Sequence, residues 1–61
     1  MDVSEYEETP NYIKIRLNAT PDERWRVDQW CLKTQCGKRI NYKSFAFKTE
    51  AEYMMFKLKW L

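Results

Sequence analysis

The sequence predicts a small α+β domain in which two strands and two helices alternate in the order strand, helix, strand, helix. Three observations lead to this fold class. Polar and apolar residues alternate strictly from Tyr12 to Leu17, capping signatures begin at Thr20 and Thr49, and a Phe-x-Phe segment precedes the second signature. Strict alternation is typical of a half-buried strand, and the capping signatures mark helix starts. We therefore expect a two-stranded sheet packed by two helices.

The 61 residues leave room for one domain, which an acidic segment precedes. Residues 1–10 contain four acidic residues and no basic one, and they end in Pro10. We expect this segment to be a flexible arm and residues 11–61 to be the folded domain. A domain of this size buries only about 60% of its unfolded surface. Oligomerisation is a common source of further burial in such small chains.

The first helix has a well-marked start and end. Thr20 is the expected cap, Pro21 suits the first helical position, and Glu23 completes a capping box. We expect the helix to continue to about Gln35, because Gly37 is typical of the residue just past a helix end.

The second strand covers Ser44 to Lys48, with Phe45 and Phe47 facing the core. A second capping signature follows at Thr49, and we expect the second helix to continue to the chain end. A right-handed crossover would make the two strands parallel. An antiparallel arrangement also fits the spacing, and the sequence leaves both open.

Both helices carry large apolar side chains on two opposite sides, whereas a surface helix normally has one apolar stripe. In the first helix, Val27, Trp30 and Cys31 share one side, and the opposite side holds Trp25, Leu32 and Cys36. In the second helix, one side holds Ala51, Met54, Met55, Leu58 and Leu61, and the other holds Tyr53, Phe56 and Trp60. A second stripe predicts a surface that binds a partner.

We expect the Met and Leu stripe of the second helix to face the core and its aromatic stripe to face a partner. The aromatic residues follow helix-in-groove spacing, and aromatic side chains are enriched among interface hot spots. The predicted partner-binding residues are Trp25, Leu32, Tyr53, Phe56 and Trp60. The partner is either a second copy, which would make a homodimer, or a different protein.

The cysteines and the absence of histidine argue against a metal or other cofactor. Cys31 and Cys36 are the only two cysteines, so one chain has no four-ligand zinc set. Five residues apart on a helix they would point about 140° away from each other, which is poor geometry for a disulfide. We expect two free thiols, as suits a reducing cytosol.

The sequence does not predict an enzyme. General acid–base catalysis usually requires histidine or a carboxylate in an apolar pocket. This chain has no histidine, and its acidic residues lie mainly in the arm and in the first turns of the two helices. Carboxylates in a first turn complement the helix dipole. Catalytic residues are therefore not expected.

Nucleic-acid binding is an alternative function. Residues 29–48 carry five basic residues and no acidic one, although the whole chain has a net charge of only +2. Aromatic residues interleave with them, as on surfaces that contact phosphates and stack bases. The candidate nucleic-acid-binding residues are Lys33, Lys38, Arg39, Lys43 and Lys48. The acidic arm would compete with a nucleic acid for this segment.

No stretch approaches the roughly 20 apolar residues of a membrane span, and no secretory signal pattern is present. We therefore expect a cytoplasmic protein without a membrane partner.

The end of the chain resembles small accessory proteins of tailed bacteriophages. In those proteins a strand of the form F-x-F-K leads into a capped helix ending in F-x-L-x-W, and here these segments are residues 45–48 and 56–60. The resemblance continues upstream through the Tyr-rich strand, Thr20-Pro21, and Trp30-Cys31 before Gly37. It spans residues 12–61. The proteins that it resembles usually have a further strand between the glycine and the F-x-F segment, which this chain lacks or shortens.

This resemblance implies a phage origin and a site of action in the host cytoplasm, and it supplies no active site. Together with the second apolar stripe, it predicts a module that binds a host protein and inhibits or redirects it. The alternatives are a nucleic-acid-binding accessory protein and a minor structural component of the virion.

Overall fold

The computed structural model describes residues 1–61, which form four strands and two helices. In chain order these are β1 (Asp2–Glu8), β2 (Ile13–Asn18), α1 (Pro21–Thr34), β3 (Lys38–Arg39), β4 (Ser44–Phe47) and α2 (Glu50–Trp60). The strands make one sheet in the order β1-β2-β4-β3, and all neighbouring pairs are antiparallel. The α+β class is confirmed. The expected two-stranded sheet and the simple strand, helix, strand, helix order are wrong, because the sheet has two further strands.

The first additional strand, β1, lies within the segment that the sequence suggested was an acidic arm. It pairs with β2 from Asp2 to Glu8, with a register shift between Val3 and Glu5. The hydroxyl of Ser4 within this irregularity donates a hydrogen bond to the backbone of β2. The shift breaks the alternation of the segment, so the strand has no clear period-two pattern. The second additional strand, β3, has only two residues.

The core lies between one face of the sheet and both helices. Ile13 of β2 pairs with Phe47 of β4, and Ile15 pairs with Phe45, so their side chains share one face. The helices contribute to the same cluster, whose buried members are Ile13, Ile15, Leu17, Val27, Cys31, Phe45, Phe47 and Phe56. Both helices therefore cover the same face of the sheet. The opposite face, which carries the alternate residues of each strand, has no helix on it.

The capping box predicted for α1 is confirmed. The hydroxyl of Thr20 accepts a hydrogen bond from the Glu23 amide at 3.2 Å, and the Glu23 carboxylate accepts one from the Thr20 amide at 2.9 Å. The hydrogen bond from the Thr20 amide lowers the pKa of Glu23, because it stabilises the charged form of the carboxylate. The helix ends at Thr34. The next residue, Gln35, caps it in the left-handed backbone conformation, with a φ of 57°.

Gly37 follows with a φ of 79°, a backbone conformation that favours glycine. A Cβ atom at this position would lie 2.5 Å from the ring of Phe47. The only glycine of the chain therefore allows both the left-handed turn and the close approach of β4.

The orientation of α2 is the reverse of the expected one. Phe56 is completely buried and Tyr53 and Trp60 are partly buried, whereas the Met and Leu stripe faces solvent. The aromatic rings find partners inside the fold: Phe56 lies 5.2 Å from Phe47, and Tyr53 lies 5.6 Å from Phe47. Large aromatic side chains gain the most from burial, so they occupy the single inward side of α2.

We expect Phe56→Ala to lower the free energy of unfolding by about 3–5 kcal/mol, because it leaves a cavity in the core. The matched change Leu58→Ala on the opposite side of α2 should stay within about 0.5 kcal/mol of the parent. Urea melts of the two variants at low protein concentration measure both values. A larger loss for Leu58→Ala than for Phe56→Ala would contradict the orientation of α2.

We expect Gly37→Ala to destabilise the fold by about 2–4 kcal/mol, because it adds backbone strain and a contact with the Phe47 ring. Gln35→Gly is the control, since it places glycine at the neighbouring left-handed position. It should lie within about 1 kcal/mol of the parent, on the stabilising side. Denaturant midpoints compare the variants, and equal tolerance of both changes would argue against this turn.

Candidate functional site

A stripe of exposed apolar side chains lies on the side of α2 that points away from the sheet, which we call the α2 outer face. Leu58 at its centre is 82% exposed, the highest value among the large apolar side chains of the protein. About half of the surface of Met54, Met55 and Leu61 is also exposed. Ala51 completes the stripe near the start of the helix. No other element of the chain covers this face.

The predicted partner-binding residues divide into two groups. Trp25 and Leu32 lie on the side of α1 that faces away from the core, and more than half of each is exposed. Tyr53, Phe56 and Trp60 point into the protein instead, so their assignment to an exposed partner surface is corrected. The residues of each predicted stripe do share one side of α2. Only the direction of the α2 stripes was reversed.

Two lysines border the inward aromatic side of α2. The Lys57 ammonium lies 5.0 Å from the centre of the Tyr53 ring, and the Lys59 ammonium lies 5.6 Å from that of Trp60. Trp60 itself contacts Trp30 of α1 edge to face, at 6.3 Å between ring centres. These contacts attach the end of α2 to α1 and leave positive charge beside the α2 outer face.

Cys31 and Cys36 are both free and buried. Cys36 lies just past the end of α1, and its thiol donates a hydrogen bond to the backbone oxygen of Glu52 at 3.3 Å. Burial raises the pKa of Cys31 to about 12 and also raises the pKa of Cys36. The thiolate is the nucleophilic form of cysteine, so these thiols are suited to packing rather than to chemistry.

The five basic residues of segment 29–48 do not form one surface. Arg39 turns inward. Its guanidinium donates a hydrogen bond to the backbone carbonyl oxygen of Tyr42 at 2.9 Å and lies 4.0 Å from the Asp28 carboxylate. Lys33 lies in the last turn of α1. The other three line two depressions that include residues of the open sheet face: Lys43 lines one, and Lys38 and Lys48 line the other, which also reaches the end of α1.

The structure adds two basic residues to this open face that the composition of segment 29–48 did not include. Lys14 and Arg16 of β2 point away from the core, because Ile13, Ile15 and Leu17 point towards it. The alternation of β2 contained this information.

No direct marker of function accompanies these surfaces. The chain has no group of three or more His, Cys, Asp or Glu side chains that could hold a metal ion. Neither helix is long and apolar enough to cross a membrane. Comparisons with protein-family models, curated proteins and solved structures gave no match. The α2 outer face and the open face of the sheet are therefore the features from which we infer function.

We expect the stability of the protein to fall as the pH rises from about 9 to about 12. The Cys31 thiol has its ordinary pKa of 9.0 in the unfolded chain and a pKa of about 12 in the folded protein, so the unfolded chain loses this proton at a lower pH. The folded state therefore binds more protons in this window, and its stabilisation is complete below pH 9. Urea midpoints at several pH values measure the slope, and Cys31→Ala should make it shallower. A slope that Cys31→Ala leaves unchanged would contradict the raised pKa.

Proposed function

We propose that this chain is a protein-binding module whose α2 outer face docks into an apolar groove of another protein. The observation that carries the proposal is the 82% exposure of Leu58 at the centre of a continuous apolar stripe. Met54, Leu58 and Leu61 follow the i, i+4, i+7 spacing by which a helix anchors in a groove. Contiguous apolar patches on soluble monomers commonly mark interaction sites.

The surroundings of the stripe support an interface. Its two methionines are flexible side chains, a type common on adaptable binding surfaces. Lys57 and Lys59 supply a charged border, and a polar rim around an apolar centre is the usual anatomy of an interface. A partner with an apolar groove and acidic residues at its edge would complement this helix.

The exposed residues of α1 form a second, separate apolar patch. Trp25 and Leu32 are seven residues apart, so they share one side of α1. Leu32 lines a depression beside β3 with Lys38 and Ile40, whereas Trp30 on the other flank of α1 contacts Trp60 of α2, so this patch lies apart from the α2 outer face. Trp25 in particular supplies a type of side chain that is enriched in interface hot spots.

The resemblance to phage accessory proteins supports a host protein as the partner. In this proposal, the module acts in the host cytoplasm and inhibits or redirects the protein that it binds. A second copy of the chain is the other occupant of the face, and it would make the homodimer that the sequence predicts.

The test is affinity capture from a bacterial host extract with the parent chain, Leu58→Glu and Ile40→Glu as baits. Ile40 is exposed next to the edge strand β3 and is not part of the α2 outer face, so its change to Glu is the matched control. We expect the parent and Ile40→Glu to capture the same protein. Leu58→Glu should weaken binding about 30-fold, which is the effect of losing an interface hot spot of about 2 kcal/mol.

The urea midpoint of Leu58→Glu should match that of the parent, because Leu58 packs against little. Capture of the same proteins by all three baits would contradict the proposal. Sedimentation distinguishes the two occupants: a homodimer through this face would become a monomer in Leu58→Glu. A parent chain that stays monomeric at high concentration would favour the host protein.

A further inference from the structure

A second surface lies on the open face of the sheet, on the side away from the helices. Lys14 of β2, Ala46 of β4 and Lys38 of β3 are paired in one row across the sheet, so their side chains share this face. Neighbouring strands are about 4.8 Å apart, so the backbones of the two lysines lie about 10 Å apart, with the small side chain of Ala46 between them. In the next row Ser44 adjoins Arg16. Small side chains on β4 and long basic side chains beside it make a trough, which we call the β4 groove.

Two depressions lie along this groove, and Lys14 lines both of them. One has a volume of about 870 Å³, and its lining includes Arg16, Lys43 and Ser44 together with the carboxylates Glu5 and Glu7. The other has a volume of about 850 Å³; its lining includes Tyr12, Lys38, Ala46 and Lys48, and it continues past β3 to Leu32 and Gln35 at the end of α1. The groove therefore extends along β4 and beyond both of its ends.

The lysines of the β4 groove form no ion pair within the fold. The chain has three ion pairs, which join Arg16 to Glu5, Arg26 to Asp22 and Arg39 to Asp28. The four lysines of the groove, Lys14, Lys38, Lys43 and Lys48, are in none of them. Free cations along a groove are suited to a polyanion, because binding phosphates releases counterions.

An exposed aromatic ring at the groove indicates which polyanion fits. Tyr12 is 40% exposed and lines the groove with Lys14 and Lys48. The ring of Tyr42 near the other end is already covered by the guanidinium groups of Arg24 and Arg39. A free ring beside lysines is the arrangement that stacks an unpaired base and holds its backbone. Bases in a duplex are stacked on one another and are not available to such a ring.

We propose that the β4 groove binds single-stranded nucleic acid without sequence preference, with lysines on the phosphates and Tyr12 stacked on a base. This activity does not depend on the α2 outer face, which lies on the other layer of the protein. The acidic strand β1 limits the affinity. Glu5 holds Arg16 at 3.4 Å, and Glu7 is paired with Lys14, so a phosphate must compete with these carboxylates.

The test measures the fluorescence polarisation of a labelled oligothymidylate at several salt concentrations. The oligonucleotide has about 12 nucleotides, a length within the range that small single-strand sites cover. We expect Lys14→Gln combined with Lys38→Gln to bind about tenfold more weakly at 0.1 M salt. The logarithmic salt slope should become shallower by about 1.4, the value for two lost contacts to a single strand. The control combines Lys33→Gln with Lys59→Gln, which removes the same charge from the helices and should leave the slope unchanged.

Three single variants complete the test. Tyr12→Ala should weaken binding about tenfold, as loss of one stacked base does, and Tyr12→Phe should restore it. Glu5→Gln should strengthen binding, because it frees Arg16. Circular dichroism and urea midpoints confirm that each variant is folded. The proposal is overturned if the parent chain does not bind at low salt, if the control pair loses as much affinity as the groove pair, or if Tyr12→Ala binds like the parent.

Discussion

The pairing of β2 with β4 is the interaction on which the rest of the structure depends. It sets Ile13 beside Phe47 and Ile15 beside Phe45, and both helices pack on the apolar face that results. A shift of one residue in this register would turn these side chains to solvent. The same register sets Lys14 beside Ala46 on the opposite face. The basic groove is therefore a geometric consequence of the core.

The aromatic contacts of α2 determine what the helix layer presents to solvent. Phe56 packs against Phe47, and Tyr53 lies between Phe47 and Tyr6, at 5.4 Å from the latter ring. An eleven-residue helix on the surface of a small domain has one inward side. Once the rings occupy it, the Met and Leu stripe has no place inside. The protein thus presents an apolar surface on its helix layer and a basic one on its sheet.

Strand β1 contributes both to the packing of the sheet and to its charge. It is an edge strand with four acidic residues, and charged edge strands resist pairing with other chains. Its Val3 packs against the core, so a segment with a very polar composition is nevertheless part of the fold. Glu5 and Glu7 of β1 also border the β4 groove, where Glu5 forms an ion pair with Arg16. The net charge of +2 therefore conceals a sheet with one acidic edge and a basic centre.

The sequence by itself determined the features that depend on near neighbours. The capping box at Thr20 and the alternation of β2 involve residues a few positions apart, so their patterns are readable along the chain. It did not reveal β1, because the irregularity at Ser4 interrupts the alternation, nor β3, because two residues are too few for a pattern.

Only the tertiary structure decided the direction of α2 and the sorting of the basic residues. Both sides of α2 are apolar, so the helical periodicity shows two stripes and does not indicate which one is buried. The aromatic stripe is buried because its rings pack against Phe47 and Tyr6. Lys38 and Arg39 are adjacent in sequence, yet the pleat of β3 sends one to the open groove and the other towards Asp28. These outcomes depend on residues distant in the chain, and the physical reason is that burial is decided by what packs opposite a side chain.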